Sequence, residues 1–347
     1  MQIFRVLLIL LFVAIAAIGA SYWWWQRALD AEFSHPHAED YITIARGMGS
    51  GQILEKLAAE GIIQEKLAAK IYLKLAGDAI QLEAGDYRFP SPISALATLK
   101  QMENGTLRTQ SLPIPEGWTR FEIAARIAAR FADDTPVAKA AVLDLMDNTA
   151  LLDGLSAEAD NLEGYLYPTT YAIEVGTEPA EIIELMVGQF EARWQPNWDS
   201  LLVRTGRSRH ELVTIASLIE NESKFDAERR RVASVIYNRL ERGIPLGIDA
   251  TNVYTAKLLG RWDGILHKSD LEIDHPYNTR KIVGLPPGPI CSPSASAIAA
   301  ALQPETTDYL YYVLNVETND GSHHFYKTDA AFAQGKRAYQ RWLAKQR

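Results

Sequence analysis

The stretch ELVTIASLIENESKF, residues 211–225, carries the strongest local pattern in the chain. Its apolar residues recur every three or four positions, which predicts an amphipathic helix. Two acids, Glu220 and Glu222, follow the apolar stripe. Because they are two positions apart, about 200° of helical rotation separates them. The helix can therefore offer one of the two acids to a site, but not a carboxylate pair.

Helical spacing indicates that Glu222 is the inward-facing acid. Ile219 and Leu218 precede it by three and four positions, so it extends the apolar stripe. Glu220 precedes Lys224 by four positions, which is the usual arrangement of a surface ion pair. Desolvation disfavours the charged form of a carboxyl group, and a protonated acid can donate a proton to a glycosidic oxygen. Glu222 is thus a candidate general acid, with a solvated position at a frayed helix end as the alternative.

The residues after this helix supply polar groups of the kind that bind sugars. A second helix is predicted over residues 229–242, and residues 246–254 are predicted to form a loop. The candidate sugar-binding residues are Asn238, Asp249, Thr251, Tyr254 and Asn278. Aspartate and threonine in loops also cap helices, so a structural role for Asp249 and Thr251 stays open.

The C-terminal part of the chain predicts a β-hairpin. The apolar run over residues 309–314 and the segment 322–326 flank the turn sequence Asn-Asp-Gly at 319–321. His323 and His324 alternate along the second strand, so at most one of them faces a given site. The sequence contains no HExxH, P-loop, GxGxxG or GxSxG motif, so we expect neither a nucleotide cofactor nor a metal.

The N-terminus predicts a transmembrane helix. Val6–Trp25 is a run of twenty residues without a charge, which as a helix spans about 30 Å, the thickness of a bilayer core. Three tryptophans, at 23–25, end the run, where indole rings favour the headgroup boundary. We expect a retained single-pass anchor over residues 1–27 with the N-terminus inside, and a cleaved signal peptide is the alternative.

The rest of the chain is predicted to be α+β. Residues 28–40 are polar and are predicted to form a linker. Residues 41–108 have the pattern strand, helix, helix, strand, helix of a small α+β module, and residues 109–347 form a larger mixed domain. A length of 347 residues agrees with about two domains.

Composition excludes several classes of protein. Lys and Arg total 35 against 43 Asp and Glu, and this net charge of −8 argues against a nucleic-acid binder. The single cysteine, Cys291, excludes an internal disulfide framework and a thiolate zinc cluster.

Several segments in a fixed order match a known family: LEAGDYRF (82–89), LPIPEGWT (112–119), LEGYLYPTTY (162–171), IASLIENES (215–223), VASVIYNRL (232–240), YNTRKIVGLPPGPICSP (277–293), YLYYV (309–313) and HHFYKT (323–328). Through these segments, over nearly its whole length, the chain resembles the YceG-like endolytic murein transglycosylases of bacteria. The resemblance implies a LysM-like βααβ module at 41–108 and a lysozyme-like catalytic domain at 109–347, with Glu222 as the catalytic residue. Ser223 after Glu222 is similar to the Glu-Ser pair of lysozyme-like transglycosylases, which makes Ser223 a further candidate. One departure is Asp249-Ala250-Thr251, where the family usually has Asp-Pro-Thr.

The resemblance also implies a reaction and a location. The expected enzyme is a lyase that cleaves the β-1,4 bond between N-acetylmuramic acid and N-acetylglucosamine in nascent peptidoglycan and leaves a 1,6-anhydro end, without a cofactor. It would act at the outer face of the plasma (inner) membrane, with cell-wall synthases as partners. Two alternatives stay open: a lysozyme-like hydrolase in which Asp249 activates water, and a non-catalytic wall-binding protein.

Overall fold

A 29-residue helix, α1 (Gln2–Asp30), begins the part of the chain that the computed structural model describes. The described residues are 2–45, 47–77, 80, 82–103 and 109–346. The Leu7–Asp30 part of α1 is long and apolar enough to cross a membrane. The predicted apolar helix is therefore confirmed, and its length and composition fit both an anchor and a signal sequence.

The chain divides into two compact units, Met1–Gln110 and Ser111–Arg347, and each has its own hydrophobic core. After α1, the first unit contains β1 (Glu32–Phe33), β2 (Ile42–Ile44), α2 (Ser50–Ala59), α3 (Lys66–Ala76), β3 (Gly85–Tyr87), β4 (Ile93–Ser94) and α4 (Ala95–Glu103). Strands β1 and β4 pair antiparallel, as do β2 and β3. The helices bury Leu57, Ala68 and Leu99 completely, as their apolar spacing predicts.

The segment 28–40 differs from the predicted polar linker. Leu29 is buried in the core of the first unit, and Phe33 lies opposite Ile93 in the β1–β4 pair. The imidazole of His35 is buried and bonds to the carbonyl of Pro90 at 3.0 Å. This segment is therefore packed into the unit, because its few apolar residues have partners more than fifty positions away that local composition does not reveal.

From Thr109 the chain is mainly helical. Its elements are β5 (Thr109–Pro113), α5 (Arg120–Phe131), α6 (Pro136–Leu145), β6 (Thr170–Glu174), α7 (Pro179–Arg193), α8 (Trp198–Thr205), α9 (Arg209–Glu222), α10 (Asp226–Glu241), α11 (Asp249–Leu258), α12 (Lys268–Leu271), α13 (Ala295–Leu302), β7 (Tyr311–Leu314), β8 (His323–Tyr326) and α14 (Asp329–Gln346). Strand β5 pairs with β6, and β7 pairs with β8. Together with the first unit, this gives a mixed α+β fold.

Helix α9 is the central element of the second unit, because α10, α11 and α13 all pack against it. A capping box starts it: the hydroxyl of Ser208 accepts from the amide of Glu211, whose carboxylate accepts from the amide of Ser208. Residues 212–219 are all buried. The helix ends at Glu222 because Ser223 has extended backbone and its hydroxyl donates to the carbonyl of Phe225.

The predicted hairpin is confirmed. Strands β7 and β8 are antiparallel, with Tyr311 opposite Tyr326 and Leu314 opposite His323. The turn places Asn319 and Gly321 at positive φ, which asparagine and glycine tolerate best. Helix α14 packs against both strands of this hairpin.

The predicted loop over residues 246–254 is wrong, because helix α11 begins inside it at Asp249. Asp249 occupies the first turn, where a negative charge stabilises the helix N-terminus. The hydroxyl of Thr251 donates to the carbonyl of Ile248 at 2.7 Å and is fully buried.

Candidate active site

A cavity of about 420 Å³ lies in the second unit at the C-terminal end of α9. Glu222, the last residue of that helix, lines it together with side chains from α10, α11, β7 and α14. Its apolar lining consists of Val235, Ile236, Leu246, Ile248, Val313 and Phe332. The carboxyl group predicted to face inward therefore lies in a cavity whose walls combine apolar and charged side chains.

Glu222 is oriented by a tyrosine of the hairpin. The hydroxyl of Tyr312 donates to Oε2 of Glu222 at 2.5 Å. Burial beside Glu222 raises the pKa of Tyr312 well above its ordinary value, so the phenol keeps its proton and acts as a donor. With Oε2 accepting this bond, Oε1 is the oxygen that can carry and donate a proton.

The surroundings favour the protonated form of Glu222. Burial raises the pKa of its carboxyl group above the ordinary glutamate value, and the negative charge of Asp249 raises it further. The hydrogen bond from Tyr312 and the positive charges of His323 and Arg239 act in the opposite direction, and the net shift is upward. Glu222 thus has the property required of a general acid.

Arg239 is a fixed cation in the wall of this cavity. Its guanidinium donates to three backbone carbonyls, those of Leu310 at 2.6 Å, Pro245 at 3.1 Å and Leu246 at 2.6 Å. It also lies 5.0 Å from the ring centre of Tyr311. These contacts join α10, the hairpin and the segment before α11, so Arg239 holds the walls of the cavity together.

A second acid, Asp249, lines the same cavity but is engaged by a cation. Nε and Nη2 of Arg280 donate to Oδ1 of Asp249 at 2.8 and 2.5 Å. Asp249 is half exposed, with 53% of its side chain accessible. Of the predicted sugar-binding residues, Asp249 is the one that the structure places in the Glu222 cavity.

The sequence-based assignment of Glu220 to the surface is wrong. Glu220 and Arg229 form an ion pair at 2.9 Å in which each side chain is only 6% exposed. Glu220 also accepts from the backbone amide of Ser294 at 2.9 Å and from its hydroxyl at 2.5 Å. The assignment fails because α13 and α10 cover the face of α9 that the spacing rule left to solvent.

Two other predicted sugar-binding residues, Asn238 and Asn278, use their polar groups away from Glu222. The amide of Asn238 donates to the carbonyls of Thr307 and Tyr309 at 2.9 and 2.8 Å. Asn238 lines a different cleft of about 630 Å³. The amide of Asn278 is buried and donates to the carbonyls of residues 271 and 273 at 3.0 and 2.7 Å. Both side chains brace the backbone.

Ser223 and Tyr254 also differ from their expected positions. Ser223 is buried, and its hydroxyl donates to the carbonyl of Phe225 at the C-terminal end of α9. Tyr254 is buried against the rings of Phe121 and Tyr277, and it lines a separate cavity of about 110 Å³. The sequence analysis instead missed Tyr312, which contacts Glu222 directly.

The fold and the site are those of an α+β protein in which a half-buried carboxylic acid, with its pKa raised by desolvation and its orientation set by a phenol, lies in a cavity with polar and apolar walls. Residues 42–338 match the model of the YceG-like family. The chain belongs to the YceG-like family.

Curated relatives extend this comparison. A Bacillus subtilis (strain 168) protein named endolytic murein transglycosylase is 35% identical over 289 residues, which cover 78% of each chain. A Streptococcus pneumoniae (serotype 2, strain D39) protein of the same name is 31% identical over 334 residues, and the match covers 88% of this chain and 60% of that relative. A solved structure of a YceG-like protein from Listeria monocytogenes is 33% identical, with a TM-score of 0.57, and covers 85% of this chain and 98% of that one.

Proposed function

We propose that this chain is an endolytic peptidoglycan lytic transglycosylase. It cleaves the β-1,4 bond between N-acetylmuramic acid and N-acetylglucosamine within nascent glycan strands. Support comes from the activity in the names of its relatives. The observation that carries the proposal is the half-buried Glu222, which receives a 2.5 Å hydrogen bond from Tyr312 in a cavity of about 420 Å³.

In the proposed reaction Glu222 acts first as an acid and then as a base. Oε1 gives its proton to the bridging oxygen as the glycosidic bond breaks. The carbonyl oxygen of the substrate's own N-acetyl group attacks the anomeric carbon, which replaces the nucleophilic carboxylate of other glycosidases. The ionised Glu222 then takes the proton of the muramic 6-hydroxyl, whose oxygen displaces the N-acetyl oxygen and closes the 1,6-anhydro ring. No water is consumed, so the enzyme is a lyase.

The same proposal assigns a role to each of three segments of the chain. Residues 1–27 form a membrane anchor, residues 41–108 a LysM-like glycan-binding module, and residues 109–347 a lysozyme-like catalytic domain on the extracytoplasmic side. The apolar Leu7–Asp30 helix supports the anchor, and the division of the chain between Gln110 and Ser111 supports the domain boundary. Such an anchor would keep the site near newly made strands, where cell-wall synthases would be its partners.

A hydrolase is the second candidate, because Asp249 lines the same cavity as Glu222. Asp249 could activate a water that attacks the anomeric carbon. Its two hydrogen bonds from Arg280 oppose this role, since both are accepted by Oδ1 and keep that oxygen occupied by the guanidinium. The two reactions leave different ends, a reducing sugar for the hydrolase and an anhydro sugar for the lyase.

Mass spectrometry of the products tests the proposal. The full chain in detergent micelles is incubated with purified glycan strands, beside Glu222→Gln and the control Glu184→Gln, whose exposed side chain lies on α7. We expect 1,6-anhydro ends from the wild type and the control, and a loss of at least about a hundredfold in Glu222→Gln. Reducing ends from the wild type would favour the hydrolase, and binding without cleavage would favour a wall-binding protein.

A further inference from the structure

Helix α14 forms one wall of the Glu222 cavity. Phe332, Lys336 and Tyr339 line the cavity from this helix. They are spaced by four and three positions, so they share one face of α14. The C-terminal helix is therefore part of the site, although the resemblance singled out no residue on it.

The position of α14 is fixed by close packing. Phe332 stacks on Tyr311 with ring centres 4.8 Å apart, and its ring meets Tyr326 edge-on at 6.3 Å. A Cβ atom on Gly335 would lie 2.3 Å from the hydroxyl oxygen of Tyr326, so a larger residue there would force the tyrosine ring or the helix to shift. This packing places the next turn of α14, with Lys336 and Tyr339, at the edge of the cavity.

Lys336 is the cavity cation that has no partner within the described part of the chain: it makes no ion pair or hydrogen bond there and is exposed. Arg239 is bound to backbone carbonyls, and Arg280 is paired with Asp249. When Glu222 is protonated, three cations face one carboxylate in this cavity, whereas the whole chain carries a net charge of −8. The cavity thus favours an anionic ligand group, and Lys336 is the side chain available to bind it.

Tyr339 adds an aromatic surface beside Lys336. Its ring stacks on that of Trp342, with centres 6.1 Å apart and planes 19° apart. Both residues are half-buried. Tyr339 therefore presents to the cavity an aromatic ring, held against a second ring, whose apolar surface suits the C–H face of a sugar ring.

We propose that α14 carries a binding subsite for a carboxylate-bearing muramyl unit, with Lys336 binding the carboxylate and Tyr339 supporting the sugar ring. The proposal rests on the function proposed above and names the part of the substrate that α14 binds. Two chemical sources supply such a carboxylate. A strand without peptides has the free lactyl carboxylate of its muramyl units, whereas in a peptide-bearing strand that group is an amide and the stem peptide supplies the carboxylates.

Kinetics on both kinds of strand test the proposal. The variants are Lys336→Met, which keeps the aliphatic stem, the conservative Lys336→Arg, and the control Arg341→Met on another face of α14. We expect Lys336→Met to raise KM about tenfold on one kind of strand, with kcat changed less than about twofold, because one charge-assisted contact is lost. Lys336→Arg should restore most of the affinity, and Arg341→Met should match the wild type.

The kind of strand affected identifies the source of the carboxylate. A rise in KM confined to denuded strands assigns Lys336 to the lactyl group, and a rise confined to peptide-bearing strands assigns it to the stem. A rise on both means that Lys336 accepts either carboxylate. An unchanged KM on both, or an equal rise in Arg341→Met, would overturn the proposal.

Chitooligosaccharide, which lacks carboxylates, separates the two residues. As a competitive inhibitor it should keep its inhibition constant in Lys336→Met and bind several-fold more weakly to Tyr339→Leu, because the ring contact does not depend on charge. An equal weakening in Lys336→Met would contradict the carboxylate role.

Failure of the function and failure of the subsite are distinguishable. If the wild type cleaves no strand, the proposed function fails. Strand dissociation constants measured with and without Lys336→Met in the Glu222→Gln background still test the subsite, and an unchanged constant would refute it.

Discussion

The two acids near the end of α9 lie two residues apart and have different surroundings. Glu220 is buried against Arg229 and Ser294 in an ion pair that joins α9, α10 and the start of α13. Glu222 is half-buried and accepts a hydrogen bond from a phenol in a cavity with polar and apolar walls, where desolvation raises the pKa of its carboxyl group. Burial beside a cation gives a structural charge, and burial beside a neutral donor gives a group that can hold and release a proton.

Glu222→Gln should show the largest effect and should affect activity alone. We expect cleavage to fall by at least about a hundredfold, since the amide cannot donate the proton. The folded-state pKa of Glu222 is raised, so its stabilising effect is present at low pH and is lost as pH rises through the folded pKa. At neutral and alkaline pH the variant should therefore be as stable as the wild type or more stable. A loss of thermal stability there would contradict this separation of roles.

Glu220→Gln should show the complementary result, a loss of stability. The change leaves the 6%-exposed Arg229 without its buried partner, which costs about 3 kcal/mol. Denaturant unfolding of the full chain, with Glu184→Gln as the exposed control, measures this cost. Activity per folded molecule should stay near that of the wild type. An unchanged unfolding midpoint would show that the Glu220–Arg229 ion pair does not stabilise the fold.

Tyr312→Phe should change the pH dependence at a moderate cost in rate. The hydrogen bond from Tyr312 lowers the pKa of Glu222, so its removal should raise that pKa further. The limb of the pH–rate profile in which activity falls with rising pH should move to higher pH. We expect a rate loss of about tenfold at the optimum, because the carboxyl group loses its orienting donor. A profile that moves to lower pH would contradict the assigned contact.

Asp249→Asn should show the smallest effect, in the opposite direction. The charge of Asp249 raises the pKa of Glu222, so the neutral amide should move the same limb to lower pH. The rate at the optimum should change by less than about tenfold if Asp249 is not the base of a hydrolase. A loss as large as that of Glu222→Gln would instead favour the hydrolase.

Local periodicity predicted much of the fold because the relevant interactions are local. The apolar helix, the hairpin with its Asn-Asp-Gly turn and the inward orientation of Glu222 all follow from spacing. The same rule failed for Glu220, because α10 and α13 cover the side of α9 on which it lies. It also failed for residues 246–254, where Asp249 begins a helix and does not lie in a sugar-binding loop.

Contacts distant in sequence explain why the site was predicted only in part. Tyr312 is ninety residues from Glu222 and belongs to an aromatic run that indicated a buried strand. The available signal was chemical, since a tyrosine in a buried strand needs a partner for its hydroxyl. Asn238 and Asn278 were chosen as sugar ligands by residue type, yet their amides hold backbone carbonyls.

Direct titration of Glu222 tests the central claim most closely. The carboxyl signal is isolated as the difference between carbon-13 spectra of the wild type and Glu222→Gln, recorded across pH. We expect an ionisation clearly above the ordinary glutamate value, which moves further up in Tyr312→Phe. An ionisation at or below the ordinary value would mean that Glu222 is a carboxylate when the glycan binds, and the proton-donor role would be contradicted.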